Sequence, residues 1–311
     1  MILTVTPNSA IDHVLFVDEL IPGGNMYTRK AVTSVGGKAF DASVVLSTLG
    51  AEQLALGFAA GENGRQLEIL LDNYGIPHDL IHVAGETRVA HVVVEIDKHR
   101  HSHITTQGYT LDATGLDAFW QLFRSRLNGV SWVVSGGTLP QGCSVDFYAR
   151  LTQEARETGA MTLVDTSGEP ARQAAESRPA VLKMNQREFA ATFDHPAHDM
   201  EHLRSAAQEV RQQLSLPALV VTCGAEGILA VTEKGTWVAK SPPQAEVNSA
   251  GAGDGVSAAL AWQFSQGVMW EGALPWAAAT GAAVVLTDGT ADCRLEDIHR
   301  IRPDVQLQQY N

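Results

Sequence analysis

The residues with the clearest capacity for chemistry stand near the C-terminal end, in Val247-Asn248-Ser249-Ala250-Gly251-Ala252-Gly253-Asp254-Gly255. An apolar run with helical spacing, residues 256–264, follows directly. A glycine-rich turn that opens a helix points several backbone N–H groups at one place, and the helix dipole adds positive potential there. Such a turn binds an anion. A carboxylate in the same turn, Asp254, stands where it can take the proton of a hydroxyl that attacks a transferring phosphoryl group. A simpler alternative is that Asp254 caps the helix and that Gly251, Ala252 and Gly253 form an ordinary turn.

Either role needs a scaffold, and the rest of the chain supplies one. Short β-rich apolar runs occur at residues 2–5, 132–135, 161–165, 180–184, 218–222 and 227–231. Amphipathic stretches such as 144–158 and 200–214 lie between them; in the second, Leu203, Ala206, Ala207, Val210 and Leu214 share one helical face. Strands alternating with helices predict an α/β fold with a mainly parallel sheet covered on both faces. Ligands of such sheets bind at the carboxyl ends of the strands. Residues 10–35 and 87–106 break the rhythm, with alternation and turn signals but no helix. The runs 92–96 and 102–106 flank Asp97-Lys98-His99-Arg100-His101 as a hairpin would. These two segments predict a small β-sheet lid on a core made of residues 1–9, 36–86 and 107–311.

Bulk properties narrow the partners. A chain of 311 residues can bury roughly three quarters of its unfolded surface without disulfides or metal staples. The net charge of −13 argues against nucleic acid and anionic membranes as partners, and gives an anionic ligand reason to seek a locally basic pocket. Cys143, Cys223 and Cys293 have no CxxC or metal-ligand spacing and read as reduced, buried thiols. The N-terminus lacks a basic, cleavable leader, and no apolar run reaches the ~20 residues of a membrane helix, so a cytoplasmic protein is expected.

Gly251-Ala252-Gly253-Asp254 resembles the C-terminal signature of the ribokinase-like sugar kinases, the phosphofructokinase B family, and Gly36-Gly37-Lys38-Ala39-Phe40-Asp41-Ala42-Ser43 resembles its N-terminal signature. Similarity continues in family order. It runs through Thr6-Pro7-Asn8-Ser9-Ala10-Ile11-Asp12, Thr87-Arg88, Gly137-Thr138-Leu139-Pro140 and Val164-Asp165-Thr166-Ser167-Gly168-Glu169. Lys183-Met184-Asn185-Gln186-Arg187-Glu188, Val221-Thr222-Cys223-Gly224-Ala225-Glu226-Gly227 and Gly281-Ala282-Ala283 complete it. The branch it looks most like holds 1-phosphofructokinase and tagatose-6-phosphate kinase.

The resemblance implies a three-layer α/β/α core with a β lid, ATP and Mg²⁺, and Asp254 as catalytic base beside Gly251, Ala252 and Gly253. It implies that Asp12, Gly36, Gly37, Lys38, Asp41, Arg88 and Thr138 face the sugar, with Arg88 on a substrate phosphate, for which a guanidinium fork is suited. Lys183, Asn185, Thr222, Gly224, Gly227 and Gly281 would serve the nucleotide, and Asn185 with Glu188 would order Mg²⁺ through water. Relatives often pair two lids face to face, which implies a homodimer through the lid.

Departures from the family pattern point to a changed acceptor. Asp41 stands where the family usually has asparagine. Met26-Tyr27 replaces an Asn-Arg pair, with Arg29-Lys30 displaced, and the string around Ser102-His103-Ile104-Thr105 differs as well. His99, His101 and His103 alternate as metal ligands on a strand could, yet zinc sites normally carry a fourth ligand, and solvated imidazoles or switchable charge near the sugar are the other readings. The acceptor implied is fructose 1-phosphate, tagatose 6-phosphate or fructose 6-phosphate in type, with an unphosphorylated sugar, polyol or sugar acid as the alternative. A non-catalytic sensor with this fold would not need Asp254 and the signature glycines. An NAD-binding Rossmann protein would need a GxGxxG after the first strand, which is missing.

Overall fold

The computed structural model of the chain describes residues 1–98, 100–195 and 199–310. Its larger sheet has ten strands. In spatial order His78–Val83, Gln53–Ala60, Ile2–Thr6, Trp132–Gly136, Met161–Asp165, Val181–Asn185 and Ala218–Thr222 all run parallel. Ile228–Thr232, Gly235–Lys240 and Gln306–Tyr310 then close one edge in antiparallel pairing.

Both faces of this sheet are covered, and the strands show it residue by residue. In Ala218–Thr222, Leu219 and Val221 enter the core on one side while Ala218 and Val220 enter the core on the other. An uninterrupted apolar strand is what burial on two faces requires. One side is built from large rings, with Phe119 and Phe123 of helix Ala113–Arg126 packed near Phe58 and Phe147. Alanines dominate the other, in helices Ala252–Ser265 and Trp270–Val284. Those two helices approach closely: a Cβ on Gly255 would lie 3.1 Å from Val284 Cγ2.

Four strands were not legible as strands. Gln53–Ala60 is rich in alanine and leucine, which suit a helix equally well, and Gln306–Tyr310 is a polar edge strand without an apolar face. His78–Val83 and Gly235–Lys240 mix polar and apolar residues within six positions each.

A second sheet of four strands has the order Lys30–Gly36, Ala10–Val17, Arg88–Glu95, Arg100–Thr105. Its central pair is parallel and its outer pairs are antiparallel. Val14, Phe16, Val92 and Val94 turn inward and bury themselves against Ala250, so this sheet sits on the glycine-rich turn itself. The hairpin is tighter than the sequence suggests. Arg100 and His101 already belong to the returning strand, opposite Glu95 and Val94, and the buried Glu95 carboxylate holds the Arg100 guanidinium. His99 lies outside the described residues.

Candidate active site

The glycine-rich turn closes as the sequence requires. Gly251 caps helix Ala252–Ser265 at φ +82°, and a Cβ there would fall 2.3 Å from the Ala291 nitrogen, so no other residue fits. The turn uses some of its own donors: Ala252 N–H bonds Ser249 O at 3.2 Å and Asp254 N–H bonds Gly251 O at 3.0 Å. Gly253 N–H has no backbone partner among the described residues. One donor is therefore left for an anion beside the Asp254 carboxyl.

Asp254 is half-buried. Loss of hydration and the charge of Asp165 push its pKa up to about 7, against the opposing pull of Lys183 and Lys38. A carboxyl poised near neutrality is suited to general-base work.

Asp165 anchors the ions around it. It ends the strand Met161–Asp165, where its Oδ1 accepts from Lys38 Nζ at 2.7 Å and its Oδ2 from Lys183 Nζ at 2.5 Å. Ser257 Oγ donates to the same Oδ2 at 3.1 Å. Burial would raise the Asp165 pKa, but the two ammonium groups outweigh it and bring it to about 2. Lys38 also reaches Glu188 Oε1 at 3.1 Å. Burial acts to discharge Lys38, and the carboxylates of Asp165, Glu188 and Asp254 reverse that and keep it charged. Sequence reasoning quoted Asp165 within a motif but gave it no role. Its position at a parallel strand's carboxyl end was the available signal.

A cavity of about 700 Å³ opens on one side of the turn, and Asn185, Thr222, Gly224, Gly227, Gly253 and Gly281 line it. Gly227 is obligatory at φ +102°, where a Cβ would meet the Ala239 carbonyl oxygen at 2.3 Å. Lys183 lies off this wall, buried against Asp165 beneath Gly253. Asn185 and Glu188 form a capping box on helix Gln186–Phe193: Asn185 Oδ1 accepts from Glu188 N–H at 2.9 Å, and Glu188 Oε2 from Asn185 N–H at 2.8 Å. Sequence reasoning missed Arg187 and Lys240 on this wall, whereas His101, which it weighed as switchable charge near the sugar, lines this cavity. His101 Nδ1 lies 3.3 Å from Ser249 Oγ, and its ring meets that of His103; both residues are exposed.

Asp41 lies within electrostatic reach of Asp254, Asp12 and Arg88, and Arg88 is tied to Thr138 through Asn8. Asp12 projects from lid strand Ala10–Val17 over Gly36, where a Cβ would come within 2.1 Å of its Oδ1. Gly37 takes φ +106° as the lid hands over to helix Lys38–Thr48. Burial lifts the Asp12 pKa to about 6 against the pull of Thr290 and Arg88. Asp41 is buried, and its Oδ1 has no hydrogen-bond partner among the described residues. Arg88 Nε donates to the Asn8 carbonyl at 3.3 Å, and Asn8 Nδ2 to Thr138 Oγ1 at 3.0 Å. Tyr109 fixes this bend, accepting from Ser9 N–H and donating to Pro7 O, both at 2.9 Å. Asn8 was also missed as a site residue, and its Oδ1 is buried without a hydrogen-bond partner among the described residues.

The displaced lid cations are already paired. Arg29 grips Asp18 at 2.9 Å and Lys30 bonds Asp288, both bordering a separate cavity of about 340 Å³. Tyr27 is 92% exposed and contributes nothing to either side.

With this geometry in place, the comparisons with known proteins agree on one family. The model described as "pfkB family carbohydrate kinase" matches residues 4–298. A 1-phosphofructokinase of Xanthomonas campestris is 32% identical over 263 residues, covering 83% of this chain and 82% of its own. A Mycobacterium tuberculosis ATP-dependent 6-phosphofructokinase isozyme 2 is 28% identical, over 96% of this chain and 88% of its own. Among solved structures, a possible 1-phosphofructokinase of Thermotoga maritima superposes with TM-score 0.90 at 23% identity, over 100% of this chain and 99% of its own. Phosphofructokinase-2 of Escherichia coli, with substrates and products, gives 0.87 at 23% identity, over 97% and 98%. At that identity the two structures establish the ribokinase-like fold.

Proposed function

The chain belongs to the pfkB family of carbohydrate kinases, and we propose that it uses ATP to phosphorylate a hydroxyl of a sugar phosphate, with Asp254 as general base. One observation carries the assignment: a carboxyl with pKa about 7 sits beside the free Gly253 N–H, between the 700 Å³ cavity and the cluster of Asp12, Asp41 and Arg88. ATP occupies that cavity with its terminal phosphate toward the turn. The acceptor lies between Asp12 and Asp41, with Arg88, Asn8 and Thr138 around its phosphate. Asp254 takes the hydroxyl proton as that oxygen bonds to the γ-phosphorus, and the bond from phosphorus to the β,γ-bridging oxygen breaks to release ADP. Gly253 N–H, Lys38 and Lys183 offset the developing negative charge.

Mg²⁺ fits this site as an ion carried by the nucleotide, lowering the charge repulsion among its phosphates. Asn185 Oδ1 and both Glu188 oxygens are engaged in protein hydrogen bonds, so their contact with such an ion runs through water, which Mg²⁺ tends to retain. The reading also includes a cytoplasmic homodimer joined through the outer faces of the lids, where Ile104 is exposed. Sedimentation at micromolar concentration tests the dimer, and a single species near 33.3 kDa refutes it.

A specific observation favours a second acceptor class. Lys38, Arg29 and Lys30 are each paired with carboxylates, leaving Arg88 to hold a substrate phosphate. An unphosphorylated sugar, polyol or sugar acid needs less positive charge. An ATP-consumption screen over free and phosphorylated sugars separates the two, and turnover of neutral sugars alone removes the first.

A further inference from the structure

The acceptor side holds more carboxyl groups than cations. Lys38 and Lys183 are committed to Asp165 and Glu188, which leaves Arg88 as the cation acting on both Asp12 and Asp41. Asp12 faces Asp41 from lid strand Ala10–Val17, and Arg88 from the start of strand Arg88–Glu95. Asp254 faces it from helix Ala252–Ser265, and Tyr74 from the end of helix Gly61–Asn73. The Gly37 backbone adds a hydrogen bond to the Asp41 carboxyl. Asp41 is 4% exposed, and its Oδ1 lacks a hydrogen-bond partner among the described residues. Two buried carboxylates cannot share one guanidinium, with Asp254 as a further acidic neighbour of Asp41, without a large cost, and the usual resolution is that one keeps its proton.

We propose that Asp41 is held as a neutral carboxylic acid and donates a hydrogen bond to an oxygen of the acceptor sugar, making it a specificity-determining residue. The proposal rests on the reading that Asp12 and Asp41 flank the acceptor. Asp41 is the member of the trio that holds the proton because it is the most buried, while Asp254 must be free to ionise for catalysis. Burial and the charges of Asp12 and Asp254 raise its pKa well above the carboxylate range, against the pull of Arg88 and Gly37. An ionised carboxylate only accepts hydrogen bonds, whereas the acid offers one donor and one acceptor in a plane. Asp41 then favours an acceptor that presents an oxygen lone pair to it, while Asp12 accepts from a hydroxyl. An acceptor with an ammonium group at that place would require the ionised form and is disfavoured.

Two measurements test this. In carbon-13 NMR of carboxyl-labelled aspartate, the resonance lost in Asp41→Asn reports Asp41; it should keep its protonated position through neutral pH. Titration of that resonance in the ordinary carboxylate range overturns the proposal. In kinetics, Asp41→Ala should raise the sugar KM roughly tenfold without moving the ATP KM, the scale of one lost hydrogen bond. The natural chain should lose kcat/KM at alkaline pH as Asp41 ionises, and Asp41→Asn, which keeps a donor at every pH, should recover part of the Asp41→Ala loss and abolish that alkaline fall. An unchanged alkaline fall in Asp41→Asn, an unaltered sugar KM in Asp41→Ala, or preferred turnover of amino sugars overturns it. The two failures are distinguishable. A protein that phosphorylates no sugar fails the acceptor reading, whereas one that turns over sugars with Asp41 ionised fails this inference alone.

Discussion

Buried charge lies on both sides of Asp254, but it is arranged differently. Toward the base of the nucleotide cavity every buried ion has its counterion: Asp165 binds Lys38 and Lys183, Lys38 binds Glu188, and Ser257 fills the remaining place on Asp165. Toward the lid, Asp12 and Asp41 share Arg88, and Asp41 Oδ1 and Asn8 Oδ1 have no partner among the described residues. A paired network stands without substrate, because each desolvated charge is compensated. An unfinished one is tolerated in a native fold where a ligand completes it. On the function proposed above, the contrast separates a self-compensated phosphoryl-transfer side from an acceptor side that the substrate finishes.

The variant that tests the boundary itself should have the largest effect. Asp254→Asn is expected to lower kcat by about a hundredfold to ten-thousandfold, the range for a positioned general base, with sugar affinity nearly unchanged. Turnover above a tenth of that of the natural chain would remove Asp254 from the mechanism. On the paired side, Lys183→Met leaves Asp165 with one cation in place of two and should cost about 3 kcal/mol of stability in urea denaturation, near the lower end for a broken buried pair. On the unfinished side, Arg88→Ala should barely move that midpoint. It should instead weaken binding of a sugar phosphate by roughly tenfold to a hundredfold, with the ATP KM unaltered, as loss of a charged hydrogen bond does. If Arg88→Ala unfolds the protein while Lys183→Met does not, the contrast is inverted. Gly36→Ala is subtler: a Cβ 2.1 Å from Asp12 Oδ1 must displace that carboxyl, raising the sugar KM roughly tenfold in steady-state assays.

A further expected effect is on stability against pH. The Asp254 pKa rises from the ordinary 3.8 to about 7 on folding, so between those limits the folded chain binds more protons than the unfolded one. The stabilisation is present in full below pH 3.8 and is lost as pH rises toward 7. Asp254→Asn should therefore raise the Tm relative to the natural chain at pH 8, and the gain should shrink toward pH 4. A gain that grows on acidification contradicts the raised pKa. In kinetics the same titration should make kcat/KM fall as pH drops below about 7.

The sequence by itself determined where the chemistry stands. Gly251 and Gly227 adopt conformations open only to glycine, and such constraints are local enough to be written in short strings. The runs at 2–5, 132–135, 161–165 and 218–222 fold as parallel strands because burial on two faces favours predominantly apolar, β-branched sequence. Tertiary structure decided what those residues can do. Asp165 meets Lys38 across 127 positions of chain, and no spacing rule connects them. The lid's apolar face settles on Ala250, a contact that alternation alone could not assign. Whether Asp12, Asp41 and Asp254 are charged is likewise absent from their letters. Carboxyl groups ionise according to the water and counterions around them, and both are set by packing between segments far apart in sequence.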